Sequence, residues 1–177
     1  KGHLTIKQKG LEADDLAAWI VGKKEEFGIG EIWLISSDRD WDLLIQDGVS
    51  RFSTVTRKEI TIDNWEDHYD VEPDMYLTLK CLAGDTGDNI PGIAGIGPKR
   101  AVSLINDYGD LYDIYDTCPI DSKYKFIQSL NENVERLLLN AELMDLESYS
   151  EQALIEADMN LEDLSSQISG YLNENRD

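Results

Sequence analysis

GDTGDNIPGIAGIGPKRA, residues 84–101, is the stretch on which the fold reading turns. Asp85 and Asp88 stand three residues apart, and share one face if that turn is helical. Gly95-Ile96-Gly97 reads as a tight hairpin, and Pro98 suits the first position of a new helix. Lys99 and Arg100 follow in its first turn, where positive charge opposes the helix dipole. That placement serves an anion better than it serves the helix. Free N–H groups, two glycines that let a backbone approach, and two cations together form a phosphate cradle. The plainer alternative is an ordinary turn between helices with a solvated Lys-Arg pair.

Upstream, residues 1–10 read as a basic strand or loop. Leu11 to about Phe27 carries apolar residues at helical spacing, with acids at the start and Lys23 and Lys24 near the end. Gly28 and Gly30 end that helix, and EIWLIS (31–36) reads as a short buried parallel strand. A helical turn, DWDLLI, and a small hairpin over Val49–Ile62 follow. Beyond Ile62 the pattern turns helical, over 64–69, 73–83, 98–107, 110–115, 123–146 and 161–173. The expectation is an α/β layer over residues 1–62, then a helical region over 63–177 that ends in acidic helices with a solvated face.

Two more acidic clusters precede the glycine-rich stretch. GLEADDLAAWIV (10–21) places Glu12, Asp14 and Asp15 at the start of a helix, where acids also serve as helix-terminal charges. Asp38-Arg39-Asp40 follows the apolar strand, at the end where functional groups gather in α/β sheets, although Ser37 or Asp38 also makes a good N-cap. Seven carboxylates brought together without metal would repel one another and raise their pKa values. Hard oxygen donors in such excess suit Mg²⁺ or Mn²⁺, and two such ions can drive phosphodiester hydrolysis.

The 177 residues are 41% hydrophobic and 29% charged, as in folded soluble proteins. No signal peptide or membrane-length apolar run occurs, so the expected location is the cytoplasm, or the host cytoplasm for a phage-encoded protein. Cys81 and Cys118 read as small buried residues or free thiols. His3 and His68 lack ligand spacing. Trp19, Trp33, Trp41 and Trp65 read as packing residues. The formal net charge of −20 argues against a nucleic-acid partner on its face. Much of the excess, however, lies after Ala141, where Arg176 is the only basic residue, and in the acidic motifs, which bound cations would neutralise.

GLEADDLAAWIV, LISSDRDWDLLI (34–45) and GDTGDNIPGIAGIGPKRA, in that order, resemble the 5′ nuclease superfamily. That group includes phage flap endonucleases and 5′–3′ exonucleases, the 5′ nuclease domain of bacterial DNA polymerase I, and eukaryotic flap endonucleases. The resemblance implies a PIN-like α/β core, a partial parallel sheet flanked by helices. A mostly helical region follows, with a helix-hairpin-helix (helix–three-turn–helix) module over about 73–107. It implies a structure-specific, two-metal 5′ nuclease acting on branched or flapped duplex DNA in replication and repair. Glu12, Asp14 and Asp15 would serve the first ion, and Asp38, Asp40, Asp85 and Asp88 mainly the second. Lys80 would meet a phosphate. Gly95, Gly97, Lys99 and Arg100 would hold the duplex backbone, with K⁺ at the hairpin. The family also carries an N-terminal strand, further aspartates and a basic helical arch that these residues do not include, so the expectation is a fragment or a partner chain supplying them. A non-catalytic or split-subunit DNA-binding module is the rival reading. An RNA-directed PIN-like ribonuclease is a third, disfavoured by a hairpin suited to duplex DNA.

Overall fold

The computed structural model describes residues 2–175. Two units emerge, one built from the chain up to Thr61 together with Leu146 onward, the other from Ile62–Asp145.

In the first unit, residues 2–8 form no regular element. α1 (Ala13–Gly22) begins after Glu12, and turns carry the chain from its end to Gly28. β1 (Ile32–Ile35) pairs in parallel with β2 (Val49–Ser53), which pairs antiparallel with β3 (Lys58–Ile60) in the expected hairpin. Between β1 and β2 the DWDLLI segment forms a 3-10 turn, Asp40–Leu44. The strand is parallel as expected, but only one of its faces is covered. Leu34 is buried, while Trp33 and Ile35 are 42% and 60% exposed.

α1 is apolar on two sides, and both are used. Ala18 and Val21 pack with Leu34, Leu44 and Val49 of the sheet side, whereas Trp19 packs with Phe27, Leu154, Leu164 and Ile168. The last three belong to α7 (Leu146–Glu156) and α8 (Leu161–Glu174). Two sequence expectations therefore need correction. The C-terminal helices fold with the first unit instead of extending the second, and they are not simply a solvated face. α7 escaped the sequence pattern because LESYSEQALIE buries only Ser150 and Leu154, too few apolar positions to mark a period.

The second unit opens with 3-10 turns at Ile62–Asp67 and Pro73–Met75, then α2 (Tyr76–Ala83). A two-residue ribbon joins β4 (Gly84–Asp85) to β5 (Ile90–Pro91). α3 (Pro98–Tyr108) and α4 (Leu111–Thr117) follow, and Asp110 caps α4 through a capping box with Asp113. The single helix expected over 123–146 is two: α5 (Lys125–Glu132) and α6 (Glu135–Met144). Asn131 and Asn133 explain the break, because their side chains take backbone partners, Ile120 and Ser129, that compete with helix continuation. The break lets Leu130 and Leu137, both fully buried, enter one core with Leu82, Ile114 and Leu104. Among the described residues no helix is long and apolar enough to cross a membrane.

Candidate functional site

Five acids of the first unit act on one another. Asp14, in the first turn of α1, is half-buried, and its pKa is raised by burial first, then by the charges of Asp38, Glu12 and Asp40. Only the Trp41 indole N–H, donating to Asp14 Oδ1 at 2.8 Å, works in the opposite direction. Asp15 is raised as well, by burial and then by Asp14, with a backbone hydrogen bond from the Glu12 side of the turn opposing. Glu12 makes no side-chain cap bond, whereas Asp15 accepts the hydrogen bond from the Glu12 backbone, so the helix-cap alternative holds for Asp15 and not for Glu12.

The loop after β1 has its own clamp. Asp38 Oδ1 accepts the Asp40 N–H at 2.9 Å, and the Asp38 N–H meets Ser36 Oγ at 3.1 Å. Asp42, two residues on, is buried and bonded bidentately to Arg51 of β2, whose Nη1 also reaches the Ser36 carbonyl at 2.9 Å. One arginine thus anchors both ends of the segment that carries Asp38 and Asp40. Sequence reading overlooked Asp42, Arg51 and the Trp41 hydrogen bond. The signal for the ion pair was available, since an acid inside an apolar turn and a base inside a strand invite pairing.

In the second unit, Asp85 and Asp88 do not share a helical face, contrary to the helical option considered for that turn. Asp85 lies in β4 and Asp88 in the tight turn beyond it. Asp85 Oδ1 accepts the N–H of Gly87 at 2.7 Å and of Asp88 at 3.3 Å, so the two acids meet through a side-chain-closed turn. Each presents an oxygen within 4.8 Å of the other's. Lys80, 7% exposed, donates to Asp85 Oδ2 at 2.7 Å. That hydrogen bond is the main reason the Asp85 carboxyl sits below its ordinary value.

The backbone around these acids depends on two glycines that sequence reading did not single out. Gly84 has φ +78°, and an added Cβ would stand 2.2 Å from the Gly92 nitrogen; one on Gly92 would stand 2.3 Å from the Ala83 carbonyl carbon. The chain therefore crosses itself at a distance only glycine allows. The buried Asn140 amide then donates to the carbonyls of Cys81 and Pro91, at 2.9 and 3.0 Å, which bracket the acidic turn.

The hairpin that follows has Gly95 at φ +80°, Gly97 as the N-cap residue of α3 and Pro98 inside its first turn. The Ile96 N–H closes the turn on the Ile93 carbonyl at 3.0 Å. Lys99 and Arg100 are exposed, as an anion grip requires, and Arg100 Nη1 also donates to the Gly95 carbonyl. Cys81 is buried and its thiol pushed up to about 12 by that burial; Cys118 is partly buried. Neither joins the site.

With this geometry in hand, the likenesses are specific. The family model "5′-3′ exonuclease, C-terminal SAM fold" matches residues 71–168. The flap endonuclease of Escherichia phage T5 is 43% identical over 151 residues, which is 85% of this chain and 52% of that protein. DNA polymerase I of Rhizobium leguminosarum is 31% identical over 141 residues, 80% of this chain and 14% of that protein. Among solved structures, a T5 5′-exonuclease mutant matches with a TM-score of 0.82 at 40% identity, covering 97% of this chain and 68% of that one. A complex of the T5 flap endonuclease with DNA and metal ions matches with a TM-score of 0.81 at 39% identity, covering 97% and 61%. The chain spans about half the length of the phage relative. The family match runs through the helices that flank the acidic turn and the glycine hairpin, the elements that position Lys80, Asp85, Asp88 and the hairpin residues, and on it the chain belongs to the 5′–3′ exonuclease family.

Proposed function

We propose that this chain is the acid-bearing and DNA-gripping part of a structure-specific 5′ nuclease that hydrolyses DNA phosphodiesters at 5′ ends and flaps. The observation that carries the reading is the crowding at Asp14. Three further carboxylates raise its pKa in a half-buried place, an arrangement that costs stability unless cations neutralise it. Oxygen-only donors in excess suit Mg²⁺ or Mn²⁺. Bound there, such ions would supply Lewis-acid stabilisation of the phosphodiester oxygens and an activated water.

In this proposal Glu12, Asp14, Asp15, Asp38 and Asp40 of the first unit, and Asp85 and Asp88 of the second, are the metal ligands. Trp41 orients Asp14, and Arg51 fixes the loop that carries Asp38 and Asp40. Lys80 holds Asp85 ionised through its hydrogen bond and is also the proposed phosphate contact near the site. Gly95, Gly97, Lys99 and Arg100 grip the duplex backbone, and the hairpin carbonyls are the proposed K⁺ site. T5 structures with bound metal ions and DNA support the reading by likeness.

A second reading, duplex binding without cleavage, draws on one observation: the hairpin and its cations lie wholly within the second unit, so gripping needs nothing from the first. A 5′-flap DNA offered with Mg²⁺ separates the two. Cleavage that Asp85→Asn abolishes while binding persists supports the nuclease. Binding with no cleavage at saturating Mg²⁺, by this chain and by any longer protein containing it, supports the second reading. Failure to bind DNA contradicts both.

A further inference from the structure

Asn140 lies on the buried face of α6 with Leu137, Ala141 and Met144, and it is 1% exposed. An apolar residue would suit that face, because a buried amide costs stability unless its hydrogen bonds are made. Here they are made to the acidic turn. Asn140 Nδ2 donates to the Cys81 carbonyl at 2.9 Å and to the Pro91 carbonyl at 3.0 Å. Carbonyl oxygens only accept, so the amide nitrogen must face them, and one side chain divides its two N–H groups between two points of the chain.

Those points are the two ends of the segment that carries Asp85 and Asp88. Cys81 belongs to the last turn of α2, where carbonyls have no partner within the helix. Its neighbours find theirs in the backbone: the Gly84 N–H donates to the Lys80 carbonyl, and the Ile93 N–H to the Leu82 carbonyl at 2.9 Å. Pro91 ends β5 on the far side of the turn. Between them residues 86–89 are exposed, and Asn89 takes φ +56°. Packing does not shape an exposed turn, so its geometry is set where it is fastened. The Asp85 carboxylate fastens it from within, through the N–H groups of Gly87 and Asp88, and Asn140 fastens its ends from outside. Asp85 and Asp88 each present an oxygen within 4.8 Å of the other's, a spacing that changes if those ends move.

We propose that Asn140 is a positioning residue for the metal site: by tying Cys81 to Pro91 it holds the Asp85 and Asp88 carboxylates at the spacing that one divalent cation takes up, acting through the backbone and through neither carboxylate. The inference rests on Asp85 and Asp88 being metal ligands, as in the proposed function, and the test separates the two.

Mn²⁺ is titrated by calorimetry into the full chain and four variants, with circular dichroism and urea unfolding recorded for each. Asp85→Asn removes a proposed ligand and identifies the binding step to which the pair contributes. Asn140→Leu keeps the side chain's approximate size and deletes both donors, whereas Asn140→Ser keeps a single hydroxyl donor. Leu137→Ala, on the same helix and fully buried, loosens the same core and leaves the two hydrogen bonds in place. Loss of a group that orients a metal site costs about 10–100-fold in affinity, so Asn140→Leu is expected to weaken the Asp85-dependent step by about 10-fold, with Asn140→Ser between it and the parent. Leu137→Ala is expected to unfold at lower urea yet bind Mn²⁺ as the parent does. Parental affinity in both Asn140 variants, with Asp85→Asn weakened, overturns the positioning role and spares the metal reading. Parental affinity in Asp85→Asn removes the pair as ligands and the positioning role with it. Equal weakening in Leu137→Ala assigns the effect to a loosened core, and loss of folding in both Asn140 variants assigns Asn140 to the fold alone; either result overturns the proposal.

Discussion

At Asp14, burial and three neighbouring carboxylates work against ionisation while the Trp41 indole N–H works for it. A carboxyl whose folded pKa is raised destabilises the fold wherever it is ionised. That cost is present at neutral pH and disappears as pH falls through the raised value towards the ordinary 3.8. Asp14→Asn keeps an oxygen for Trp41 and removes the charge. Metal-free protein carrying it is expected to melt at a higher temperature than the parent at pH 7, with the difference shrinking in acid; calorimetry at several pH values checks both parts. Asp85 has the opposite sign. Lys80 lowers its pKa, so its contribution is present above the ordinary value and lost as pH falls through the folded one. Trp41→Phe keeps the ring's packing and deletes the donor. Loss of a partner that orients a metal ligand costs about 10–100-fold in affinity, so Mn²⁺ binding by titration calorimetry should weaken by that order with circular dichroism unchanged.

Among the elements, α7 is the one whose role the sequence hid. Leu154 is fully buried with Trp19, and truncating a buried leucine costs about 2–5 kcal/mol. Leu154→Ala should therefore lower the urea midpoint of unfolding, because α7 and α8 complete the packing of the helix that carries Asp14 and Asp15. The parallel strand, the β2–β3 hairpin, α3 and α4 were all legible, because strong apolar periods and turn chemistry mark them. What the sequence did not display was tertiary or sub-helical. The break at Asn133 depends on side-chain competition for the backbone, and the Gly84–Gly92 crossing on two glycines eight positions apart. Of the candidate residues, the acids and hairpin glycines could be named from their spacing. Trp41 and Asn140 could not, since each acts through a partner distant in sequence, whereas Arg51 and Asp42 left a signal that went unread, a base inside a strand and an acid inside an apolar turn.

For the whole molecule, a net charge of −20 and a DNA substrate are compatible only if charge is partitioned. The second unit shows that partition, with four of its six basic residues at the hairpin and the start of α5, and the first unit concentrates acids around Asp14. In the proposed function, ions of opposite sign supplied from outside offset both features, phosphates in one case and metal in the other. The most direct test is a crystal of this chain grown with Mn²⁺ and measured for anomalous scattering. The account predicts Mn²⁺ bonded to carboxylate oxygens of the Asp14 and Asp40 set and to those of Asp85 or Asp88. Crystals diffracting well with no Mn²⁺ on either set, at concentrations where T5-type relatives hold metal, would contradict it.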